Sequence, residues 1–188
     1  QELDGTVSID SKIISTANVR PKGQDIQSGQ IILTAGTKLR AQEMGLLSSM
    51  GVTTVEVFKP LKIALFSTGD ELVEPGEALQ PGQIYNSNRA TLIGLIQSLG
   101  MTPIDLGTVP DSLEATEVVL QKAAEAGDII FSAGGVSVGD EDYVKDAVAR
   151  LGSIDFWKVA IKPGKPLAFG QIGDIPFIGL PGNPASVF

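Results

Sequence analysis

Two hydrophobic periods alternate from Leu61 onward. Residues 62–67 hold a continuous apolar run, Ile63-Ala64-Leu65-Phe66, and residues 128–131 hold another, Ile129-Ile130-Phe131. Apolar runs this short read as strands buried on both faces of a parallel sheet. Leu92, Leu95, Ile96 and Leu99 instead fall at i, i+3, i+4 and i+7, as do Val144, Ala147, Val148 and Leu151. That is one face of a helix. The pattern therefore predicts a strand over 62–67, a helix over 89–99, a strand over 102–107, a helix over 112–126, a strand over 128–131 and a third helix around 144–151. A strand over 154–160 follows. Strands over 167–172 and 175–178 are separated by Gly173-Asp174, a hairpin signal. Strand–helix alternation of this kind gives an α/β domain with a mostly parallel sheet and one antiparallel pair late in the chain.

Before Pro60 the pattern is weaker. Residues 1–20 read as short β-structure, with Val7 and Ile9 alternating with polar neighbours. Residues 20–25 are a charged turn. A strand is expected over 30–33, a helix over 37–50 with a ragged apolar face, and a strand over 53–58. The expected division is thus 1–20, 21–59 and 60–188, a small mixed α+β segment ahead of the larger α/β domain. Residues 74–83 hold Pro75-Gly76 and Pro81-Gly82 and read as a turn-rich excursion.

Ligands of parallel sheets bind outside the carboxyl ends of the strands. Polar or glycine-rich segments fall at or beside those ends: Thr68-Gly69-Asp70-Glu71, Val109-Pro110-Asp111, Gly134 to Asp142, and Gly179 to Pro184. Gly134, Gly135 and Gly139 lead toward a helix, and free N–H groups at a helix start suit phosphate. The same loop carries Asp140, Glu141 and Asp142, which repel a bare phosphate but make sense if Mg²⁺ sits between. Asp140 equally reads as a helix cap. Asp111 reads either as a ligand acid or as the cap of a capping box with Glu114. Asp70 and Glu71 read as a solvated turn or as metal ligands. Lys158, Lys162 and Lys165 crowd into eight residues, and Pro163 and Pro166 stiffen their loop, which suits an oxyanion. Asn183 and Pro184 read as N-cap and first helical residue, or as part of a ligand-lining turn.

Composition narrows the chemistry. The chain has 188 residues, 43% hydrophobic and 19% charged, with a net charge of −8. That balance fits a folded protein of one or two domains and argues against a nucleic-acid binder. With no cysteine and no histidine, disulfides, the usual zinc sites and histidine acid–base chemistry are excluded within it. No apolar run approaches a membrane span. A cytoplasmic setting is expected. The chain begins at Gln1 without Met and stops just after a turn that should open a helix, so a fragment or processed piece is expected.

Ser67-Thr68-Gly69-Asp70-Glu71-Leu72, Gly134-Gly135-Val136-Ser137-Val138-Gly139-Asp140-Glu141-Asp142, Lys162-Pro163-Gly164-Lys165-Pro166 and Gly179-Leu180-Pro181-Gly182-Asn183-Pro184 occur in that order. Together they resemble the molybdopterin molybdenumtransferase family, called MoeA in bacteria and the gephyrin E domain in animals. Residues 61–188 resemble its third domain, a three-layer molybdopterin-binding fold. Residues 1–20 resemble the end of its second domain, and residues 21–59 the returning part of its first. The resemblance implies an enzyme that takes adenylylated molybdopterin and molybdate, cleaves the adenylate with Mg²⁺ or a similar ion, leaves molybdenum on the dithiolene and releases AMP. It implies Glu71, Asp111 and Asp142 as functional acids, with Glu71 and Asp142 at the metal. It implies that Lys162 and Lys165 attract molybdate and phosphate, and that Pro181 and Pro184 shape the cleft. Thr68, Gly69, Asp70, Gly134, Gly135, Ser137, Gly139, Gly182 and Asn183 come with the same motifs as substrate-binding positions. A homodimer whose partner completes the cleft is implied as well. Asn86 stands where the family pattern leads one to expect Asp, and no role is assigned to it. The nearest rival is the related adenylyltransferase, which would carry Gly-Gly-Thr-Gly where this chain has Gly134-Gly135-Val136-Ser137 and would lack the material before Pro60. A scaffold or non-catalytic binding fragment is the other alternative.

Overall fold

The computed structural model describes residues 2–8, 12, 14–136, 143–162 and 165–188. The chain divides into two compact units, Gln1–Glu56 and Val57–Phe188.

The first unit holds little regular structure. Strands β1 (Glu2–Leu3) and β2 (Thr6–Val7) pair antiparallel across Asp4 and Gly5, both at positive φ. Helix α1 covers Ala41–Ser49, so the helix expected over 37–50 starts four residues later. Its start is set by Glu43, which accepts from the backbone N–H of Arg40 at 2.9 Å and from its guanidinium at 2.6 Å. The Arg40 guanidinium holds the Glu43 carboxyl down to about 2. The strands expected over 30–33 and 53–58 do not form. A strand exists only where a neighbour takes its ladder bonds. Here none of the described residues does, and Ile31 is 79% exposed.

The second unit is a three-layer α/β domain. Its six-stranded sheet has the order β6-β3-β7-β10-β9-β8. The strands are β3 (Lys62–Thr68), β6 (Thr102–Val109), β7 (Ile129–Ala133), β8 (Gly152–Phe156), β9 (Ala168–Ile172) and β10 (Ile175–Leu180). The first four in spatial order run parallel. β9 runs against both β10 and β8, so there are two antiparallel pairings rather than the one expected. The difference is β8, which ends at Phe156 rather than 160 and lies along the outer edge of the late hairpin. Helices are α2 (Ser87–Ser98), α3 (Leu113–Ala126), α4 (Tyr143–Leu151) and α5 (Pro184–Val187).

The continuous apolar run of β3 is buried on both faces, as a central parallel strand must be. Phe66 and Ala64 join Ile130, Phe177, Leu120 and Val148 on the side of α3 and α4. Ile63 and Leu65 join Leu92, Ile96 and Val187 on the side of α2 and α5. The strand period of two thus divides one sequence between two cores.

The connections place the site. From β3 the chain passes through α2 to β6 on one side. It then crosses back through α3 to β7 on the other. The order reverses between β3 and β7, and a crevice opens at the carboxyl ends of strands at such a switch point. At the outer edge β6 carries a bulge, since Leu65 faces Asp105 while Ser67 faces Thr108.

Candidate functional site

A cleft of about 700 Å³ lies at that switch point. The ends of β3, β6, β7 and β10 all contribute to it. Thr68 to Leu72 follow β3, Asp111 follows β6, Gly134 to Val136 follow β7, and Pro181 to Pro184 follow β10.

The acids come together first. The N–H of Asp111 donates to Oδ1 of Asp70 at 3.1 Å. Burial pushes the Asp111 carboxyl up, and the charges of Asp70 and Glu71 push it further, against a backbone N–H of Asp70 that pulls it down. Asp111 is nevertheless exposed to solvent, which tempers these effects. Three carboxylates therefore share one end of the cleft. Of its two readings, ligand acid or helix cap, Asp111 is not the cap. Ser112 caps α3, its hydroxyl accepting from Ala115 N at 3.3 Å. The capping phase is one residue later than the Asp111–Glu114 spacing suggested, which leaves the Asp111 carboxylate to the cleft.

The glycine loop after β7 is a packing device. Gly134 and Gly135 have φ of +93° and +67°. A Cβ on Gly134 would stand 2.7 Å from the Thr68 carbonyl oxygen, and one on Gly135 would stand 2.3 Å from Val144 Cγ2. Only glycine lets this loop lie against the end of β3 and the first turn of α4. The N–H of Gly134 donates to Leu180 O at 3.0 Å, tying the ends of β7 and β10 together. Beneath the loop, Thr68 is 5% exposed and its Oγ1 has no hydrogen-bond partner among the described residues.

At the β10 end Asn183 caps α5, accepting from Ala185 N at 3.0 Å, and Pro184 is its first residue. Asn88 reaches across from α2 and donates to Gly182 O at 2.8 Å. Asn86 is buried and structural: its Oδ1 accepts from Arg89 N at 3.2 Å as the cap of α2, and its Nδ2 donates to Thr108 Oγ1 at 2.9 Å. Thr108 in turn donates to Glu74, and Arg89 bridges Glu74 and Asp105, each ion pair at 2.6 Å. Burial draws the Asp105 carboxyl up, and hydrogen bonds from Arg89 and Gly107 outweigh it and hold it below the usual range. This network ties the start of the 74–83 excursion to α2 and β6. Asn86→Ala is expected to cost about 1–2 kcal/mol, the loss of a cap. The shift in a urea unfolding midpoint measures it.

Thr68, Gly69, Asp70, Glu71, Asp111, Gly134, Gly135, Pro181, Gly182, Asn183 and Pro184 thus line one cleft. Lys162 and Lys165 are exposed and are not among its lining residues, although Pro166 is. Their loop is closed at its base, where the Lys165 carbonyl accepts from Val159 N at 3.0 Å and Leu167 N at 3.1 Å. Ser137, Gly139 and Asp142 lie outside the described residues. Sequence reasoning passed over Ile84, Tyr85 and Asn88, which also line the cleft. Their position between a Pro-Gly turn and a helix start was the available signal.

Among the described residues no three acid side chains are placed so that they alone could hold a metal ion. The acid end of the cleft offers carboxylate oxygens of Asp70, Glu71 and Asp111, which suit a hard divalent cation that takes one or two carboxylates and completes its shell with phosphate and water. Among the described residues no helix is long and apolar enough to cross a membrane.

Comparison with known proteins identifies the family and the fold. Residues 64–188 match the family described as "Probable molybdopterin binding domain", and residues 2–51 match "MoeA N-terminal region (domain I and II)". A molybdopterin molybdenumtransferase of Haemophilus influenzae is 42% identical over 97% of this chain and 45% of its own length. One from Nostoc sp. is 43% identical over 90% of this chain and 40% of its own. The crystal structure of the molybdopterin biosynthesis MoeA protein from Pyrococcus horikoshii superposes with a TM-score of 0.77 at 37% identity, covering 88% of this chain and 41% of that one. The chain spans less than half the length of these relatives.

Proposed function

Because the chain belongs to the MoeA family, with a probable molybdopterin binding domain following MoeA N-terminal sequence, we propose that it serves molybdenum cofactor biosynthesis as part of a molybdopterin molybdenumtransferase. In this reading the substrate is adenylylated molybdopterin, molybdate supplies the molybdenum, the adenylate is cleaved and AMP leaves. The observation that carries it is the convergence of Asp70, Glu71 and Asp111 at one end of the switch-point cleft. Such a cluster repels a bare phosphate and accepts one that arrives with a divalent cation.

Mg²⁺ fits the oxygen donors present, with Glu71 and Asp111 as ligands among the described residues and Asp142 as a further one. Bound there, it neutralises charge on the phosphoryl group. Asp70 orients the backbone of Asp111. Asp111 would be held ionised by the bound cation, against the burial and the neighbouring charges that raise it. Gly134, Gly135 and Thr68 shape the wall against which the phosphate end lies. Lys162 and Lys165 attract the molybdate oxyanion from outside the cleft. A cytoplasmic homodimer completes the reading.

AMP release tests it. The whole protein, given adenylylated molybdopterin, molybdate and Mg²⁺, is expected to release AMP as the pterin gains molybdenum. Adenylylation of molybdopterin from ATP, without that release, would assign it instead to the related adenylyltransferases. The MoeA N-terminal match argues against them.

A further inference from the structure

The cleft has two chemically different ends carried on one small ribbon. Strands β4 (Leu72–Val73) and β5 (Ile84–Tyr85) pair in parallel, Leu72 beside Ile84 and Val73 beside Tyr85. The N–H of Ile84 donates to Glu71 O at 2.9 Å, and that of Asn86 to Val73 O at 3.0 Å. The backbone that carries Asp70 and Glu71 is thus bonded directly to the backbone that carries Tyr85. Glu71 and the Val73–Tyr85 pair are two strand positions apart, roughly 7 Å along the ribbon. Carboxylates and an aromatic ring are therefore held at a fixed separation in one cleft.

Tyr85 is 45% exposed and Ile84 is 55% exposed, yet both line the concave site. The ring is not core. Its hydroxyl donates to Glu77 O at 2.9 Å, inside the same excursion. That bond fixes the ring's attitude and occupies its one polar atom, leaving the π face and edge. Among the described residues no other ring or cation stacks on it. A preorganised, unstacked ring beside a phosphate-type end suits a ligand that is flat at one end and anionic at the other.

We propose that Tyr85 is the stacking platform for the planar fused heterocycle of the ligand, the pterin or the adenine, while the acid end takes its phosphate. The proposal rests on the substrate class given under the proposed function. It adds the residue that reads the ring and a reason for the 74–83 excursion, which carries the Tyr85 tether.

Calorimetric titrations of wild type, Tyr85→Phe and Tyr85→Leu test it. The probes are AMP, free pterin and inorganic pyrophosphate, each with Mg²⁺. Tyr85→Leu is expected to weaken at least one ring probe by roughly ten-fold, the scale of lost base–aromatic stacking, and to leave pyrophosphate unchanged. Tyr85→Phe keeps the ring, loses only the tether, and is expected to fall between wild type and Tyr85→Leu. The probe that responds identifies the heterocycle as adenine or pterin. Ring probes bound equally by wild type and Tyr85→Leu overturn the platform alone. An equal loss of pyrophosphate overturns it too, by showing that Tyr85 supports the acid end. A wild-type protein that binds neither ring probe overturns both the platform and the substrate class beneath it.

Discussion

Gly135→Ala is expected to destabilise the second unit by roughly 2–5 kcal/mol. Two costs add. A non-glycine residue at φ +67° costs roughly 1–2 kcal/mol. A methyl 2.3 Å from Val144 Cγ2 and 2.7 Å from Thr68 Oγ1 overpacks a buried junction, at roughly 1–3 kcal/mol more. Val144 is fully buried and its χ1 is stiff, so it has little room to yield. Urea unfolding of wild type and variant reads the difference. A shift under roughly 0.5 kcal/mol, the range of an ordinary surface change, would show that the loop can stand off β3. The glycine would then be kept for ligand approach rather than for packing.

Asp111→Asn is expected to weaken Mg²⁺-dependent binding of the phosphate ligand by roughly 10- to 100-fold, the scale of a lost charge-assisted contact. The same change is expected to stabilise the fold slightly at neutral pH. The folded-state pKa of Asp111 is raised, so its ionised form costs stability. That cost is fully present above the folded pKa and disappears as the pH falls through the folded value and below the ordinary carboxylate value. The variant should therefore melt above wild type at pH 7, with the gap closing as the pH is lowered toward 4. Opposite signs for binding and stability separate a ligand acid from a structural one. If Asp111→Asn lowers both, the carboxylate belongs to the framework of the α3 start.

Arg40–Glu43 offers the contrasting case. The Glu43 carboxyl is lowered to about 2, so the pair's support of α1 is present above the ordinary carboxylate value. It is lost as the pH falls toward 2.

Much of the second unit is legible in the sequence because its central strands must be apolar on both faces. Ile63 to Phe66 and Ile129 to Phe131 can be nothing else in an alternating chain. Val144, Ala147 and Val148 are buried where the helical period places them. The same period overshoots at Leu99, which is 66% exposed because α2 has already ended. In the first unit the pattern misleads. Residues 30–33 are as apolar as a strand, but periodicity does not say whether a partner strand exists to bond them. β8 is the subtler error. Its position on the outer edge is set by the hairpin beside it and not by its own residues.

The site divides in the same way. The strand-end rule brings Thr68, Asp70, Glu71, Asp111 and Pro181 to one place without any knowledge of the ligand. It does not distinguish a glycine kept for ligand approach from one kept for packing, and the structure assigns Gly134 and Gly135 to packing against Thr68 and Val144. It does not fix a cap to one residue, and the cap of α3 falls to Ser112 rather than Asp111. It also passes over Tyr85, whose place in the cleft depends on a ribbon pairing of Leu72–Val73 with Ile84–Tyr85 across the excursion.

In the proposed function the switch-point cleft binds a phosphate-bearing pterin through carboxylates and a divalent cation. Calorimetric titration with adenylylated molybdopterin, with and without Mg²⁺, on wild type and Asp111→Asn, tests it most directly. Binding is expected to require Mg²⁺ and to weaken sharply in Asp111→Asn. Binding of equal strength without Mg²⁺, unchanged by the substitution, would contradict it and move the phosphate away from Asp70, Glu71 and Asp111.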